Sequence, residues 1–179
     1  MQMTISGRIW IFDDDDINTD VIFPGKYTYK LLSDAEMAQY AMEDYDPSFT
    51  KKVQPGDIVV AGRNFGCGSS REQAVKCLKA SGIAAIVAKS YSRIYYRNAI
   101  NEALPVIECA EAVEYIFRNI AKKEGRIGES NAIINLHAGK IRVSGNEFTF
   151  PALDAQAMKI FETGGLVEYT KLRLQEKQE

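Results

Sequence analysis

Apolar residues along this chain recur with two periods, and the switches between them lay out the elements. Asp57-Ile58-Val59-Val60-Ala61 is a short β-branched run bounded by Pro55-Gly56, the pattern of a buried strand. From Ser70 to Ala80 the period lengthens: Ala74, Val75, Leu78 and Ala80 recur at helical spacing and Gly82 closes the run, which predicts an amphipathic helix. Ile83 to Ala88 follows as a second buried strand, so the three segments predict a strand–helix–strand crossover and a parallel pair.

The remaining pattern extends this unit in both directions. Arg8 to Phe12 predicts an earlier strand. Ser33-Asp34-Ala35-Glu36 has the spacing of a capping box, with Met37, Tyr40 and Ala41 continuing a helix until Asp46-Pro47. Ser92 to Ala103 predicts a helix with Ile94, Ile100 and one tyrosine turned inward; Leu104 to Ile107 a strand; Ala110 to Lys122 a helix. Ile133–Leu136, Lys140–Val143 and Glu147–Phe150 predict antiparallel strands joined by glycine turns. A last helix runs from Asp154 through Phe161 to the stop at Gly164-Gly165, and Lys171 to Glu179 reads as a frayed tail. Together these predict one α/β domain over residues 1–179, with a sheet flanked by helices and an antiparallel C-terminal strand region.

The chemistry concentrates where the first strand of the crossover turns into its helix. Gly62-Arg63-Asn64-Phe65-Gly66-Cys67-Gly68-Ser69-Ser70-Arg71-Glu72 puts three glycines, two hydroxyls and a guanidinium in one strand-to-helix turn. Glycines admit positive φ and close approach, unpaired N–H groups at a helix start attract anions, and arginine binds a carboxylate or phosphate through two bonds. The turn therefore predicts an anion site at the carboxyl end of a sheet strand, where ligands of open α/β sheets gather. It is neither a dinucleotide fingerprint, since Arg71 stands where the third glycine belongs, nor a P-loop, nor a nucleophile elbow.

Composition narrows the partners. With 46% hydrophobic and 26% charged residues and a net charge of −2, the chain reads as an ordinary globular protein, with no basic bias toward nucleic acid. Its longest apolar run, Ile83 to Ala88, falls far short of the ~18 residues a membrane span needs. No charged leader precedes an apolar segment, which sets the expectation of a cytoplasmic chain starting near Met1. Cys67, Cys77 and Cys109 match neither a disulfide framework nor a metal-binding spacing. Cys67, in the turn, is either a small filler or a thiol whose pKa a helix start would lower. The run Asp13 to Asp16 suggests divalent-cation binding or a solvated turn, but lacks the glycine and glutamate of a calcium loop. His137, the one histidine, falls in a polar turn.

Three blocks in order carry a resemblance: Asp15-Asp16-Ile17-Asn18-Thr19-Asp20-Val21-Ile22, Gly68-Ser69-Ser70-Arg71-Glu72, and Tyr91-Ser92-Arg93-Ile94-Tyr95-Tyr96-Arg97-Asn98. Over about Gly7 to Leu172 the chain resembles the small subunits of 3-isopropylmalate dehydratase and their homoaconitase relatives, detached swivel domains of the aconitase superfamily. The resemblance implies a swivelling β/β/α domain and a hydro-lyase of leucine biosynthesis that interconverts 2- and 3-isopropylmalate by dehydration and rehydration. It implies a heteromer: the [4Fe–4S] cluster, whose iron binds the departing hydroxyl as a Lewis acid, belongs to a separate large subunit, and no cofactor or metal to this chain. Carried over residue by residue, Ser69 is the base, Arg71 pairs a substrate carboxylate, Ser70 and the Gly68 backbone help hold it, and Asp20 orders the site. In Gly25 to Lys30, the loop facing the substrate's variable tail, Tyr29 stands where homoaconitases place an arginine, which favours an isopropyl group; Lys30 next to it could reach a third carboxylate. Two alternatives stay open: a homoaconitase-type subunit, and a module that binds carboxylate or phosphate without catalysis.

Overall fold

The computed structural model describes residues 3–176. Its elements in chain order are β1 (Thr4–Phe12), α1 (Thr19–Ile22), a 3₁₀ turn (Gly25–Tyr27), α2 (Asp34–Ala38), α3 (Phe49–Lys52), β2 (Ile58–Ala61), α4 (Gln73–Ala80), β3 (Ala85–Ala88) and α5 (Arg93–Asn101). There follow β4 (Val106–Glu108), α6 (Ala110–Asn119), β5 (Lys122–Lys123), β6 (Ile127–Asn135), β7 (Lys140–Val143), β8 (Asn146–Thr149), α7 (Ala155–Thr163) and α8 (Leu166–Gln175). One mixed sheet in the order β4-β3-β2-β1-β6-β7-β8, with β5 added to β6, carries the fold. Strands β1 to β4 are parallel to one another, and β6 to β8 run antiparallel from β1 outward.

Burial on both faces explains the unbroken apolar runs. Every residue of Ile58–Ala61 and Ala85–Ala88 is buried, as parallel strands covered by helices on each side must be. In β1 the alternation splits the core in two: Trp10 and Phe12 enter one apolar layer with Phe49, Val59, Leu78 and Tyr95, while Ile9 and Ile11 enter the other with Ile58, Val60, Val113 and Ile116. Burying each such side chain fully contributes about 1.5–3 kcal/mol. Trp10 and Phe49 meet edge-on with ring centroids 4.8 Å apart, which fixes α3 against β1.

Several elements differ from their sequence expectations for identifiable reasons. The capping box at Ser33 forms, with Ser33 and Glu36 bonding each other's backbone N–H, but α2 ends at Ala38 instead of reaching Asp46. Met42 takes φ +57° and its N–H donates to Ile22 O at 2.8 Å, pulling the chain out of helical geometry. Helix α4 starts at Gln73, not Ser70, so Ser69, Ser70 and Arg71 precede it. In α5 the inward residues are Tyr95 and Ala99, whereas Ile94 is half-exposed. Helix α6 stops at Asn119, and Lys122–Lys123 pair with β6 instead. Lys171 to Gln175 belong to α8 and are not frayed; the tail beyond residue 176 lies outside the described residues. Among the described residues no helix is long and apolar enough to cross a membrane.

Candidate active site at the carboxyl end of the parallel strands

Two loops meet above the carboxyl ends of β1 and β2 and are laced together by main-chain bonds. Asp16 N donates to Arg63 O (2.9 Å), Gly66 N to Ile17 O (2.8 Å) and Thr19 N to Cys67 O (2.9 Å). Side chains finish the seam: Asp15 Oδ1 accepts from Arg63 N (2.6 Å), Asp16 Oδ1 from Asn64 Nδ2 (2.7 Å), and Thr19 Oγ1 donates to Ser69 O (2.9 Å). A third loop braces the turn from the β3 side, where Phe65 N donates to Ser90 O (3.0 Å) and Ser92 Oγ to Gly66 O (2.7 Å). Gly66 has φ +75°, and a Cβ there would lie 2.1 Å from the Tyr95 ring, so no other residue fits. Gly68, at φ +89°, turns the chain a second time and presents Ser69 and Ser70 outward.

This lacing brings Asp20 to Arg71. Asn18 caps α1 by accepting from Val21 N at 2.9 Å, which places Asp20 in the first turn with its carboxylate against Arg71 Nη1. The guanidinium is mostly covered and the carboxylate half-exposed; Nη1 is buried without a well-aligned hydrogen bond, so the ion pair leaves donor capacity unused. Among the described residues, neither the Ser69 and Ser70 hydroxyls nor the backbone N–H groups of Gly68, Ser69 and Ser70 find a protein partner. Successive free N–H groups about a positive-φ glycine form a concavity for an anion. The helix start does not contribute as expected, because α4 begins beyond Arg71.

Of the residues singled out in the sequence, the structure gathers Asp20, Gly68, Ser69, Ser70 and Arg71. Lys30 shares a depression of about 330 Å³ with Glu72 and Lys76 and lies 5.2 Å from the Tyr27 ring centroid. Tyr29, 96% exposed, stands in solvent with Leu31 and packs under nothing. Thr19 is the residue the motif reading misses: a 2%-exposed hydroxyl that ties the two loops, its only sequence signal being a polar residue between a cap and the site aspartate. Glu72 is held below the usual carboxylate range by Lys76, while burial and then the neighbouring Glu72 push Glu102 up.

The other candidates are consumed by structure. Asp13 pairs with Lys122 and Arg126, and Asp14 accepts from the Tyr45 hydroxyl, so with Asp15 and Asp16 the whole acidic run is engaged within the chain. Among the described residues no three His, Cys, Asp or Glu side chains gather so as to hold a metal ion. Burial, then Asp16, pushes the Cys67 thiol up, the reverse of the lowering expected at a helix start. Burial also raises Cys77 and Cys109, which sit on separate elements, so these residues do not fit an iron–sulfur cluster. His137 is exposed in its turn.

Comparison with known proteins gives this geometry a family. Residues 16–112, from within the first laced loop through the glycine turn and α5, match the aconitase C-terminal domain. The 3-isopropylmalate dehydratase small subunit of Heliobacterium modesticaldum is 44% identical over 97% of this chain and 99% of its own length. A methanogen homoaconitase small subunit from Methanothermobacter thermautotrophicus is 43% identical over 94% of this chain and 92% of its own. A crystal structure of 3-isopropylmalate dehydratase from Methanocaldococcus jannaschii superposes with a TM-score of 0.84 at 39% identity, covering 99% of this chain and 100% of that one. The chain thus belongs to the aconitase C-terminal domain family, among the small subunits of 3-isopropylmalate dehydratase and its relatives.

Proposed function

We propose that this chain is the small subunit of a hydro-lyase that interconverts 2- and 3-isopropylmalate, and that it supplies half of an active site completed by a large subunit. The observation that carries the reading is the Asp20–Arg71 pair beside the unpartnered Ser69 and Ser70 hydroxyls at the carboxyl end of β2. In this reading Arg71 receives a substrate carboxylate through its unused donors, with Asp20 holding the guanidinium in place. The free N–H groups of Gly68, Ser69 and Ser70 lower the cost of negative charge at the turn. That lets Ser69 Oγ, as an alkoxide, take the proton from the carbon next to a carboxylate. The C–H electron pair becomes the new double bond, and hydroxide leaves from the adjacent carbon. No part of the hydroxide's departure is assigned to this chain; the [4Fe–4S] cluster belongs to the partner in this reading.

Tyr29 and Lys30 set the substrate's variable end. The exposed ring of Tyr29 suits an isopropyl group, and burying an unpaired carboxylate against it would cost several kcal/mol. Lys30 is the observation that favours a second reading, a homoaconitase-type substrate, since its side chain is exposed and makes no ion pair among the described residues, which leaves its charge for a third carboxylate. The deciding experiment is reconstitution with an iron–sulfur large subunit and assay against isopropylmalate and homoaconitate. Higher kcat/KM for isopropylmalate is expected. A preference for homoaconitate would move the chain to the second reading, and carboxylate binding without turnover on any such acid would leave only a binding module.

A further inference from the structure

A cavity of about 460 Å³ opens at the edge strand β4, next to the loop that braces the glycine turn through the Phe65–Tyr91 bridge. One face of α5 supplies Arg93, Tyr96, Arg97 and Ile100, with Tyr91 at the base and Glu108 at the end of β4. Three of these side chains are ionised and of opposite sign. Among the described residues none of the three is in an ion pair, whereas the nearby Lys89 is taken by Glu114. Burial, then the carboxylates of Glu108 and Asp154, raises the Tyr96 hydroxyl. Asp154 caps α7 by accepting from Ala157 N at 2.8 Å, whereas Glu108 is the acid that lines the cavity. The Tyr91 hydroxyl donates to Ile86 O at 2.7 Å, and its ring meets Tyr96 edge-on at 5.8 Å; with Ile100 the two rings form an apolar floor.

Two free guanidinium groups attract a carboxylate, and a free carboxylate beside them disfavours a pure anion while attracting an ammonium. An apolar floor flanked by a few convergent charges, at a size within the ~300–1,000 Å³ typical of small-molecule sites, is how such ligands are oriented. We propose that this cavity binds a zwitterionic α-amino acid with an apolar side chain. Its carboxylate meets Arg93 and Arg97, its ammonium Glu108, and its side chain Ile100 and Tyr96. The cavity shares no lining residue with the Ser69 turn, and Tyr91 joins the two by packing edge-on against Phe65 at 6.2 Å.

Calorimetric titration of the full chain tests it, with L-leucine and the larger L-phenylalanine as probes, isovalerate carrying the anion alone and isoamylamine the cation alone. At least one amino acid should saturate with a Kd of about 1 mM or tighter, and each single-charge analogue should bind about tenfold more weakly or worse. Glu108→Gln should erase the advantage over isovalerate, and Arg97→Ala the advantage over isoamylamine; both positions are exposed, so the fold tolerates the changes. The proposal is overturned if neither amino acid gives saturable heat at ~20 mM, roughly twentyfold above that Kd. Isovalerate binding as tightly as leucine, or affinity unchanged in both variants, overturns it as well.

Discussion

Two aspartate–arginine pairs stand at opposite ends of the parallel strands, alike in chemistry and opposite in construction. Asp57, entering β2, is 2% exposed and accepts from Arg8 Nε (2.9 Å), Arg8 Nη2 (2.7 Å), Trp10 Nε1 (2.8 Å) and Gln54 N (2.9 Å). Four donors converge on its two oxygens, so the group ties the chain together. Asp20, beyond β1, meets one guanidinium, stays half-exposed, and leaves that guanidinium with unused donors beside two unpartnered hydroxyls. A satisfied buried carboxylate contributes stability; a half-exposed one paired with a guanidinium that keeps unused donors leaves room for a ligand, as the proposed function requires. Substitutions at the two ends should therefore separate folding from turnover.

The largest effect belongs to the open end. Ser69→Ala, in the assembled enzyme, should lower kcat by about 10²–10⁴-fold, the usual worth of a positioned proton acceptor. Because Ser69 is exposed and, among the described residues, bonds the rest of the fold only through its carbonyl, the melting temperature should stay put. Near wild-type kcat would remove Ser69 as the base. At the closed end the result inverts: Asp57→Ala strands Arg8 and the Trp10 N–H, and should cost about 3–5 kcal/mol in denaturant unfolding. Activity per folded molecule should be retained; a selective loss of kcat would show that the two ends are coupled. Arg71→Lys comes next. A point charge replaces a fork, so KM should rise about tenfold or more while kcat changes less.

The sequence reveals these two ends unequally. Strands β2 and β3 are legible because short, wholly apolar runs between breakers leave little alternative, and the glycine turn is legible because three glycines and a Ser-Ser-Arg need a place to turn. The lacing is not legible: Asp20 and Arg71, or Thr19 and Ser69, lie far apart in the chain, and no local period records a cross-loop bond. That same lacing explains the late start of α4, since a turn held by Ile17 and Thr19 cannot also take helical φ and ψ at Ser70. Helix α8 escapes notice because Val167, Leu172 and Leu174 face outward, leaving no amphipathic stripe to read. The resemblance, not the pattern, singled out Asp20 from five nearby aspartates. The structure then shows why the other four are unavailable, each already engaged by Lys122, Tyr45, Arg63 or Asn64.

The smallest expected effect tests how far the open end's freedom extends along the chain. Gly25, where the Tyr29 loop begins, lies against the Asp20–Arg71 pair, and Lys30 lines a depression with Glu72, so both ends of the loop lie beside the site. Tyr29 itself touches little, being 96% exposed, and a surface change there should shift stability by no more than about 0.5 kcal/mol. Whatever Tyr29→Arg does must then appear in substrate choice. A guanidinium can pair a third carboxylate and fits an isopropyl group poorly, so the ratio of kcat/KM for homoaconitate over isopropylmalate should rise about tenfold, within the range one pocket contact supplies. Activity on isopropylmalate should fall while the unfolding curve stays unchanged. An unchanged ratio would mean that the variable end of the substrate is read by the large subunit, and that the open end of this chain stops at Arg71 and Asp20.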